Sequence, residues 1–161
     1  MATDLDPRPT VSVFTCVYNM ADKIHRVFDS MLAQTYPNIQ HIIVDDGSTD
    51  NLEPLVRAYV EKAPYPVLFL QKENGGKHTA TNLAWDRATG EYLIQLDADD
   101  AYLPHTLEFL VDTWEKIPTE QKDQYWCVHG RCKDQTGGKM VGPPYPEGVN
   151  DLPWEIGRAH V

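Results

Sequence analysis

Short runs of β-branched and other apolar residues alternate with segments of helical periodicity from residue 11 to about residue 117. The apolar runs at residues 11–18, 41–44, 67–70 and 91–96 predict strands. Between them, apolar side chains recur every three or four positions, which predicts helices. Strand–helix units joined by short links indicate an α/β fold, with a mostly parallel sheet and helices on both faces.

The predicted helix ends carry local capping signals. Asn19 or Asp22 is expected to cap the first helix, and Asp50 with Glu53 resembles a capping box at the second. Gly90 is expected to close the third helix at its C′ position. Each helix should therefore begin and end on residues close to it in the chain.

The last part of the sequence has a different pattern. A strand-like segment at residues 125–130, a turn at residues 137–138 and a short apolar return predict an antiparallel extension. Residues 156–161 have no amphipathic period and read as the translation of a common sequencing-adapter oligonucleotide. We therefore expect residues 1–155 to form one native domain, the natural protein to continue past Glu155, and residues 156–161 to be foreign.

Composition narrows the possible partners. The 161 residues contain 24 Asp and Glu against 14 Lys and Arg, giving a net charge of −10. The basic residues are scattered and form no stripe, so nucleic acid is not expected as a partner. No apolar run approaches the ~20 residues of a membrane span, and the first ten residues show no apolar signal core. With an odd number of cysteines, Cys16, Cys127 and Cys132, reduced thiols and a cytoplasmic location are expected.

Polar and acidic residues with possible binding or catalytic roles cluster where the predicted strands end. Asp97 and Asp99 follow the fourth strand, and in an extended segment residues i and i+2 point the same way. Paired carboxylates suit Mg²⁺ or Mn²⁺, which bind through one or two carboxylates plus substrate phosphates. Further polar clusters follow the other strands, and ligands of open parallel sheets bind at this edge. They are Thr15/Tyr18/Asn19, Asp45/Asp46/Gly47/Ser48 and Asn74/Gly75/Gly76/Lys77/His78.

The sequence of these clusters resembles the family-2 glycosyltransferases. The similar segments, in the family's order, are 13–19 (VFTCVYN), 34–38 (QTYPN), 43–50 (IVDDGSTD), 74–82 (NGGKHTATN) and 97–100 (DADD). The resemblance covers roughly residues 10–145. It implies a GT-A fold that is incomplete on its C-terminal side, a nucleotide-diphosphate-sugar donor, a divalent metal ion and inversion at the anomeric carbon.

The resemblance also implies roles for single residues on the nucleotide side. Thr15 and Tyr18, next to Asn19, would form a wall for the base. A carboxylate of the Asp45–Asp46 pair would accept the imide N–H of uracil. We favour Asp45 for this role and a structural one for Asp46, although the order could be reversed, and UDP-sugars are the favoured donors.

Further roles follow for the diphosphate side. The segment containing Gly75 would line the nucleotide, and Lys77 would meet the diphosphate. Asp97 would hold the ribose or the outer metal shell, and Asp99 would bind Mn²⁺ or Mg²⁺. Residues 1–155 would thus be the nucleotide-sugar-binding part of a GT-A domain.

The general base required for inversion has no candidate in the sequence, and we expect it beyond Val161. The chain would then bind a donor without transferring a sugar. Family members often act on glycan or lipid-linked acceptors in polysaccharide biosynthesis at the cytosolic face of a membrane. Any membrane contact of this protein would come from segments outside the sequence.

Other protein classes also place acids and Mg²⁺ at the end of a parallel sheet. A sugar nucleotidyltransferase is one, but the Gly-rich basic signature expected after its first strand is absent from residues 15–22. A non-enzymatic receiver domain is another, but its single acceptor aspartate does not map cleanly. His41 is expected at the surface or at a helix cap, and Trp85 in the core.

Overall fold

The computed structural model describes residues 7–128, 130–134, 138–141 and 155–158. Four parallel strands form the central sheet in the order β3-β2-β1-β4. Their bounds are β1 Val11–Val17, β2 Ile39–Asp45, β3 Val67–Gln71 and β4 Tyr92–Gln95. The predicted parallel α/β sheet is confirmed.

Strand β1 pairs with β2 on one edge and with β4 on the other. The chain therefore runs outward from β1 to β3 and then returns across β1 to form β4. In open α/β sheets, ligands bind in the crevice where the strand order reverses in this way. The crevice here lies at the carboxyl ends of β1 and β4.

Helices cover both faces of the sheet, as the sequence predicts. They are α1 His25–Leu32, α2 Leu52–Val60, α3 Lys77–Trp85, α4 Thr106–Glu115 and the short α5 Thr119–Lys122. Odd-numbered β1 residues such as Val13 pack with α1, α2 and α4, and even-numbered ones such as Phe14 pack with α3. The period-2 alternation of a strand thus divides the core into two layers.

The predicted helix caps are wrong. Helix α1 begins at His25 and α2 at Leu52, and neither N-cap residue makes a side-chain capping bond. Asn19 and Asp50 instead join the loop after β1 to the loop after β2, and Glu53 bonds Arg57. The tertiary partners of these side chains replace the local ones that the sequence suggests. Helix α3 also ends five residues before Gly90, whose amide donates to Ser12 Oγ.

A second, two-stranded sheet follows the main one. Strand β5, Arg131–Asp134, pairs in parallel with β6, Glu155–Arg158. The predicted strand at residues 125–130 is wrong, because the strand begins at Arg131. The expected antiparallel return is present as a bridge between Lys133 and Met140, with Gly138 at φ 65°. Gly137 lies outside the described residues, and the proposed foreign origin of residues 156–161 stays a prediction.

A chain of polar side chains crosses the larger core layer. Thr15 Oγ1 lies 3.2 Å from His41 Nε2, and His41 Nδ1 lies 2.7 Å from the Tyr59 hydroxyl. Tyr59 continues the chain to the Tyr65 hydroxyl at 2.9 Å, and its ring stacks on Phe28 with a 4.3 Å centroid distance. The surface or capping position expected for His41 is wrong, because its side chain is fully buried. Burial lowers the pKa of His41 to about 3.

Three further predictions concern Trp85, the cysteines and membrane-spanning helices. Trp85 is 57% exposed on α3, so its predicted core position is wrong. Within the described part of the chain, Cys16, Cys127 and Cys132 form no disulfide. Over the described ranges, no helix has the length and hydropathy to cross a membrane.

We predict that His41 makes the protein less stable as the pH falls below about 6.5. The unfolded chain binds a proton there while the buried imidazole, with a pKa of about 3, does not. The free energy of unfolding should fall with a slope of up to about 1.4 kcal/mol per pH unit. Urea unfolding at pH 7, 6 and 5 should show a smaller slope for His41→Asn than for the wild type. His25→Asn, at an exposed site, should keep the wild-type slope. Equal slopes for His41→Asn and the wild type would contradict this assignment.

Candidate functional site

The loops after the four parallel strands meet at one edge of the sheet. Tyr18, the first residue after β1, is 49% exposed there and offers an open aromatic face. Thr15 lies three residues earlier, within β1, where it is fully buried and its hydroxyl is hydrogen-bonded to His41. The structure therefore places Tyr18 in the site and the Thr15 hydroxyl beneath it.

Asn19 joins the first two loops. It takes a left-handed conformation with φ 50°, which asparagine tolerates better than most residues. Its Oδ1 accepts the Thr49 amide at 2.8 Å, and its own amide donates to Ser48 Oγ at 3.0 Å. This pair of bonds fixes the direction in which the chain leaves β1, and so the position of Tyr18.

Asp45, the last residue of β2, is 4% exposed. Its Oδ1 accepts the Ser48 amide at 2.8 Å, and its Oδ2 accepts a long bond of 3.3 Å from Gln71 Nε2. The first contact closes an Asx-type turn, for which aspartate is well suited. Oδ2 is thus the less strongly held oxygen.

Asp46 holds the next loop in place. Its Oδ1 accepts Lys72 Nζ at 2.5 Å and the Gly75 amide at 3.0 Å, and its Oδ2 accepts the Gly76 amide at 2.8 Å. Burial by itself would raise the pKa of Asp46, but the bonds from Lys72 and the two glycines outweigh it, and the pKa is lowered. The Gly75 and Gly76 amides at the start of α3 are thus directed at Asp46, and the carboxylate is ionised at neutral pH.

Gly47 allows these two loops to approach each other. A Cβ at this position would lie 2.7 Å from the Asn74 amide nitrogen, and its φ of 79° disfavours any other residue. Gly75 has a similar constraint, since its Cβ would lie 2.9 Å from Thr79 Oγ1. The glycines serve close packing of the loops at this edge.

Lys77 connects α3 to the acidic turn after β4. Its Nζ lies 2.8 Å from Asp97 Oδ1, which also accepts Gln95 Nε2 at 2.6 Å. The Lys77 side chain is 59% exposed and that of Asp97 is 27% exposed. Contacts therefore run without a break across the edge, from the loop after β1 to the loop after β4.

The acidic segment itself is not extended. Strand β4 ends at Gln95, and residues 97–100 form a turn closed by a 3.1 Å bond from the Asp100 amide to the Asp97 carbonyl. The expectation that Asp97 and Asp99 point to one side because of strand alternation is therefore wrong. Both residues stand on one tight turn instead, and Ala98, between them in sequence, is packed into the core.

The chemistry of this turn fits a hard cation only with help from a ligand. Within the described ranges, no three His, Cys, Asp or Glu side chains converge closely enough to hold an ion. Mg²⁺ usually takes one or two protein carboxylates and completes its shell with phosphates and water. Asp97 and Asp99 can supply that share.

Sequence reasoning missed the residues that hold the acids in place. Lys72 bonds Asp46, Gln71 bonds Asp45 and Gln95 bonds Asp97. All three stand at or just after the carboxyl end of a strand. Their position in the sequence is the signal that could have identified them.

A cavity of about 780 Å³ also lies beside β4. It reaches Asp97 and Asp100 at one end, but most of its lining is apolar, including Tyr102, Leu110 and Trp114. Tyr102 donates to the Gln95 carbonyl at 2.6 Å, and burial raises the pKa of its hydroxyl. The cavity thus shares Gln95 and Asp97 with the polar edge.

We predict that Asp46→Asn destabilises the protein by about 2 kcal/mol at pH 7, because charge-assisted bonds to Lys72 and two amides are lost. Urea unfolding should show this loss, whereas Asp86→Asn, which removes an exposed carboxylate at the end of α3, should change stability by less than about 0.5 kcal/mol. The difference between the variants should shrink as the pH falls through the lowered pKa of Asp46. Equal stability of the two variants at pH 7 would rule out a holding role for Asp46.

Two solved structures share this architecture. A mannosyltransferase from Pyrobaculum calidifontis, in complex with GDP-Man and Mn²⁺, matches 81% of this chain and 37% of its own, with 31% identity and a TM-score of 0.64. S. aureus TarS 1-349 in complex with UDP matches 84% of this chain and 38% of its own, with 25% identity and a TM-score of 0.61. The expected GT-A architecture is confirmed by these matches.

Sequence comparisons agree with the structural ones. An uncharacterized glycosyltransferase of Rickettsia prowazekii is 38% identical over 109 residues, which are 68% of this chain and 33% of the relative. The chain thus spans about a third of the length of this curated relative. A family model described as Glycosyl transferase family 2 matches residues 12–147. The chain therefore belongs to glycosyl transferase family 2.

Proposed function

We propose that residues 1–155 form the nucleotide-sugar-binding part of an inverting glycosyltransferase, which transfers a sugar from a nucleotide-diphosphate donor to an acceptor hydroxyl. The observation that carries the proposal is the acidic turn of Asp97 and Asp99 at the switch point of the sheet, with Lys77 beside it. The match to glycosyl transferase family 2 over residues 12–147 argues against the two alternative functions, a sugar nucleotidyltransferase and a receiver domain. The acceptor would be a glycan or a lipid-linked sugar, and the site would face the cytoplasm.

Asp97 and Asp99 would hold Mn²⁺ or Mg²⁺. The Pyrobaculum calidifontis enzyme described with GDP-Man and Mn²⁺ supports a divalent ion in this family. The ion would neutralise charge that develops on the departing nucleoside diphosphate. In a chain of net charge −10 such compensation is needed, since an anionic donor must approach an acidic edge.

Tyr18 and Asp45 would recognise the base. Tyr18 is 49% exposed, so its ring is accessible for stacking, and the bonds of its neighbour Asn19 hold the chain at this point. Asp45 Oδ1 is engaged by Ser48, so Oδ2 is the oxygen left to accept a base N–H. The imide of uracil offers one such N–H, whereas guanine offers a pair that matches both oxygens of a carboxylate. This single available oxygen favours UDP-sugars over GDP-sugars.

Lys77 would change partners when the donor binds. It lies on Asp97 in the structure, but a point charge on a flexible stem can move to a diphosphate. The exchange would remove the Lys77 contact from Asp97 Oδ1, which keeps its bond from Gln95, and would make room there for the ribose or the metal shell. Gly75, where a Cβ would crowd the Thr79 hydroxyl and Lys72 Nζ, would let the same segment approach the nucleotide closely.

We predict that UDP binds in a Mn²⁺-dependent manner and that Asp99→Asn removes this dependence. The amide cannot supply the negative charge that a hard cation requires. Isothermal titration of UDP with and without Mn²⁺ should show at least a tenfold gain for the wild type and none for the variant. Asp112→Asn, at an exposed site on α4, should behave as the wild type. GDP titrated in parallel should bind more weakly, and tighter GDP binding would overturn the proposed uridine preference. Absence of UDP binding to the folded wild type would refute the donor site.

We also predict that Lys77→Met weakens UDP about tenfold in the absence of metal, because one charge-assisted contact to the diphosphate is lost. Uridine, which has no phosphate, should bind the variant and the wild type equally. Titration of UDP and uridine into the wild type and the variant separates the contribution of Lys77 to diphosphate binding from any contribution to nucleoside binding. If uridine binding fell as much as UDP binding, Lys77 would contact the nucleoside or maintain the fold, and its proposed role would be wrong.

A further inference from the structure

Residues 34–38 (QTYPN) stand out in the sequence, but they lie away from the nucleotide edge. This segment follows α1, and its first two residues contact the start of α4. The Thr35 amide donates to the Pro104 carbonyl at 2.9 Å. The Thr35 hydroxyl also lies 3.2 Å from His105 Nδ1 and donates to Glu108 Oε2 at 2.8 Å. Gln34 adds side-chain bonds that join the same two parts of the chain, about seventy residues apart.

The Gln34 side-chain amide is bonded at both of its polar atoms. Its Nε2 donates to the Ser30 carbonyl at 2.9 Å and to the Leu103 carbonyl at 2.8 Å. Its Oε1 accepts the Leu107 amide at 3.2 Å. Two acceptors face the NH₂ group and one donor faces the oxygen, so a single orientation of the amide satisfies all three bonds.

The bond to Leu107 replaces a missing local cap. Helix α4 begins at Thr106, and its N-cap residue His105 makes no side-chain capping bond. Leu107 is the second helical residue, whose amide is normally capped by the residue that precedes the helix. Gln34 supplies this oxygen from another part of the fold.

The segment held by Gln34 begins with the acidic turn. On the strand side, the Leu96 amide donates to the Phe14 carbonyl at 3.0 Å. In the middle of the segment, the Tyr102 hydroxyl donates a hydrogen bond to the Gln95 carbonyl at 2.6 Å. On the helix side, Leu103 and Leu107 are held by Gln34. The turn of residues 97–100 is thus fixed at both ends. Gln34 and Thr35 both hold the end nearer α4, and Gln34 is the one that bonds the backbone there through its side chain, at Leu103 and Leu107.

We propose that Gln34 is a positioning residue for Asp97 and Asp99: by fixing the start of α4, it sets the geometry of the carboxylates that would receive the metal. The metal-binding aspect rests on the proposed function, whereas the positioning of the turn does not. Residues that orient metal ligands commonly change metal affinity tenfold or more when they are replaced. Gln34 touches neither metal nor donor in this scheme and acts through the backbone at Leu103 and Leu107.

The chain offers a matched control in Gln40. Its side chain also makes three hydrogen bonds between distant segments, to Ser12 Oγ, the Thr89 amide and the Arg87 carbonyl. It lies near the start of β2, whereas the acidic turn follows the end of β4. Gln34→Met and Gln40→Met remove comparable bonds with the same substitution, but only the first is near α4.

Amide hydrogen exchange of the unliganded protein, followed by NMR, tests the positioning itself. Gln34→Met should lower protection of the Asp100 amide, which closes the turn, as well as of Leu107. Gln40→Met should leave both amides at wild-type protection. Loss at Leu107 with full protection at Asp100 would show that Gln34 is a helix cap only and overturn the proposal.

Titration of Mn²⁺ in the presence of UDP tests the consequence for the metal. Gln34→Met should raise the Kd of Mn²⁺ about tenfold, and Gln40→Met should leave it within twofold of the wild type. If both variants raised the Kd of Mn²⁺ equally, general destabilisation would explain the loss of affinity, and the proposal would be overturned. If the wild type bound no Mn²⁺ with UDP, the proposed metal role would fail, and exchange at Asp100 would decide the positioning alone. Should Gln34→Met not fold, Gln34→Glu replaces it, because it keeps an acceptor for Leu107 and loses only the donor to Ser30 and Leu103. Leu107 should then stay protected while protection of Asp100 falls and the Kd of Mn²⁺ rises, and unchanged protection of Asp100 would overturn the proposal.

Discussion

The parallel pairing of β1 on both of its edges is the constraint on which the rest of the structure depends. It buries Val11, Val13 and Val17 almost completely and sends the loops after β1 and β4 to opposite sides of one crevice. Parallel strands require the chain to return by a crossover each time. Every strand therefore ends at the same edge, and the polar residues after each strand are brought together whatever their separation in sequence.

That convergence creates an electrostatic problem, because pairs of acids stand at or shortly after the ends of two of the four strands, β2 and β4. The structure solves it in two ways. Asp46 is neutralised by a nearly buried partner, Lys72, and by two backbone amides. Asp97 is paired with Lys77 at the surface. The remaining negative charge is what a divalent ion and the directed donors of the edge would have to balance when a diphosphate arrives.

The elements of this fold could be predicted from sequence, because β-branched runs and helical spacing report on burial directly. Tertiary partners could not. Asn19 and Asp50 have the composition of helix caps, yet they join two loops, and α4 receives its cap from Gln34. His41 reads as a polar residue in a strand, but Thr15 and Tyr59 make its burial possible. A sequence shows which bonds a side chain can make, and the fold decides which partner reaches it.

The same distinction explains why neighbouring acids differ in what they can do. Asp45 and Asp46 are both 4% exposed, yet Asp46 accepts three close bonds and Asp45 keeps one weakly held oxygen. A group that binds a ligand must release its unliganded partner at little cost. An exposed ion pair such as Lys77–Asp97 is worth about 0–1 kcal/mol, so a diphosphate can displace it. Breaking the buried Lys72–Asp46 pair would leave an uncompensated charge, which costs several kcal/mol. Burial together with the number of close bonds thus separates the acids that hold the loops from those that can exchange partners, although all of them stand at equivalent places in the sequence pattern.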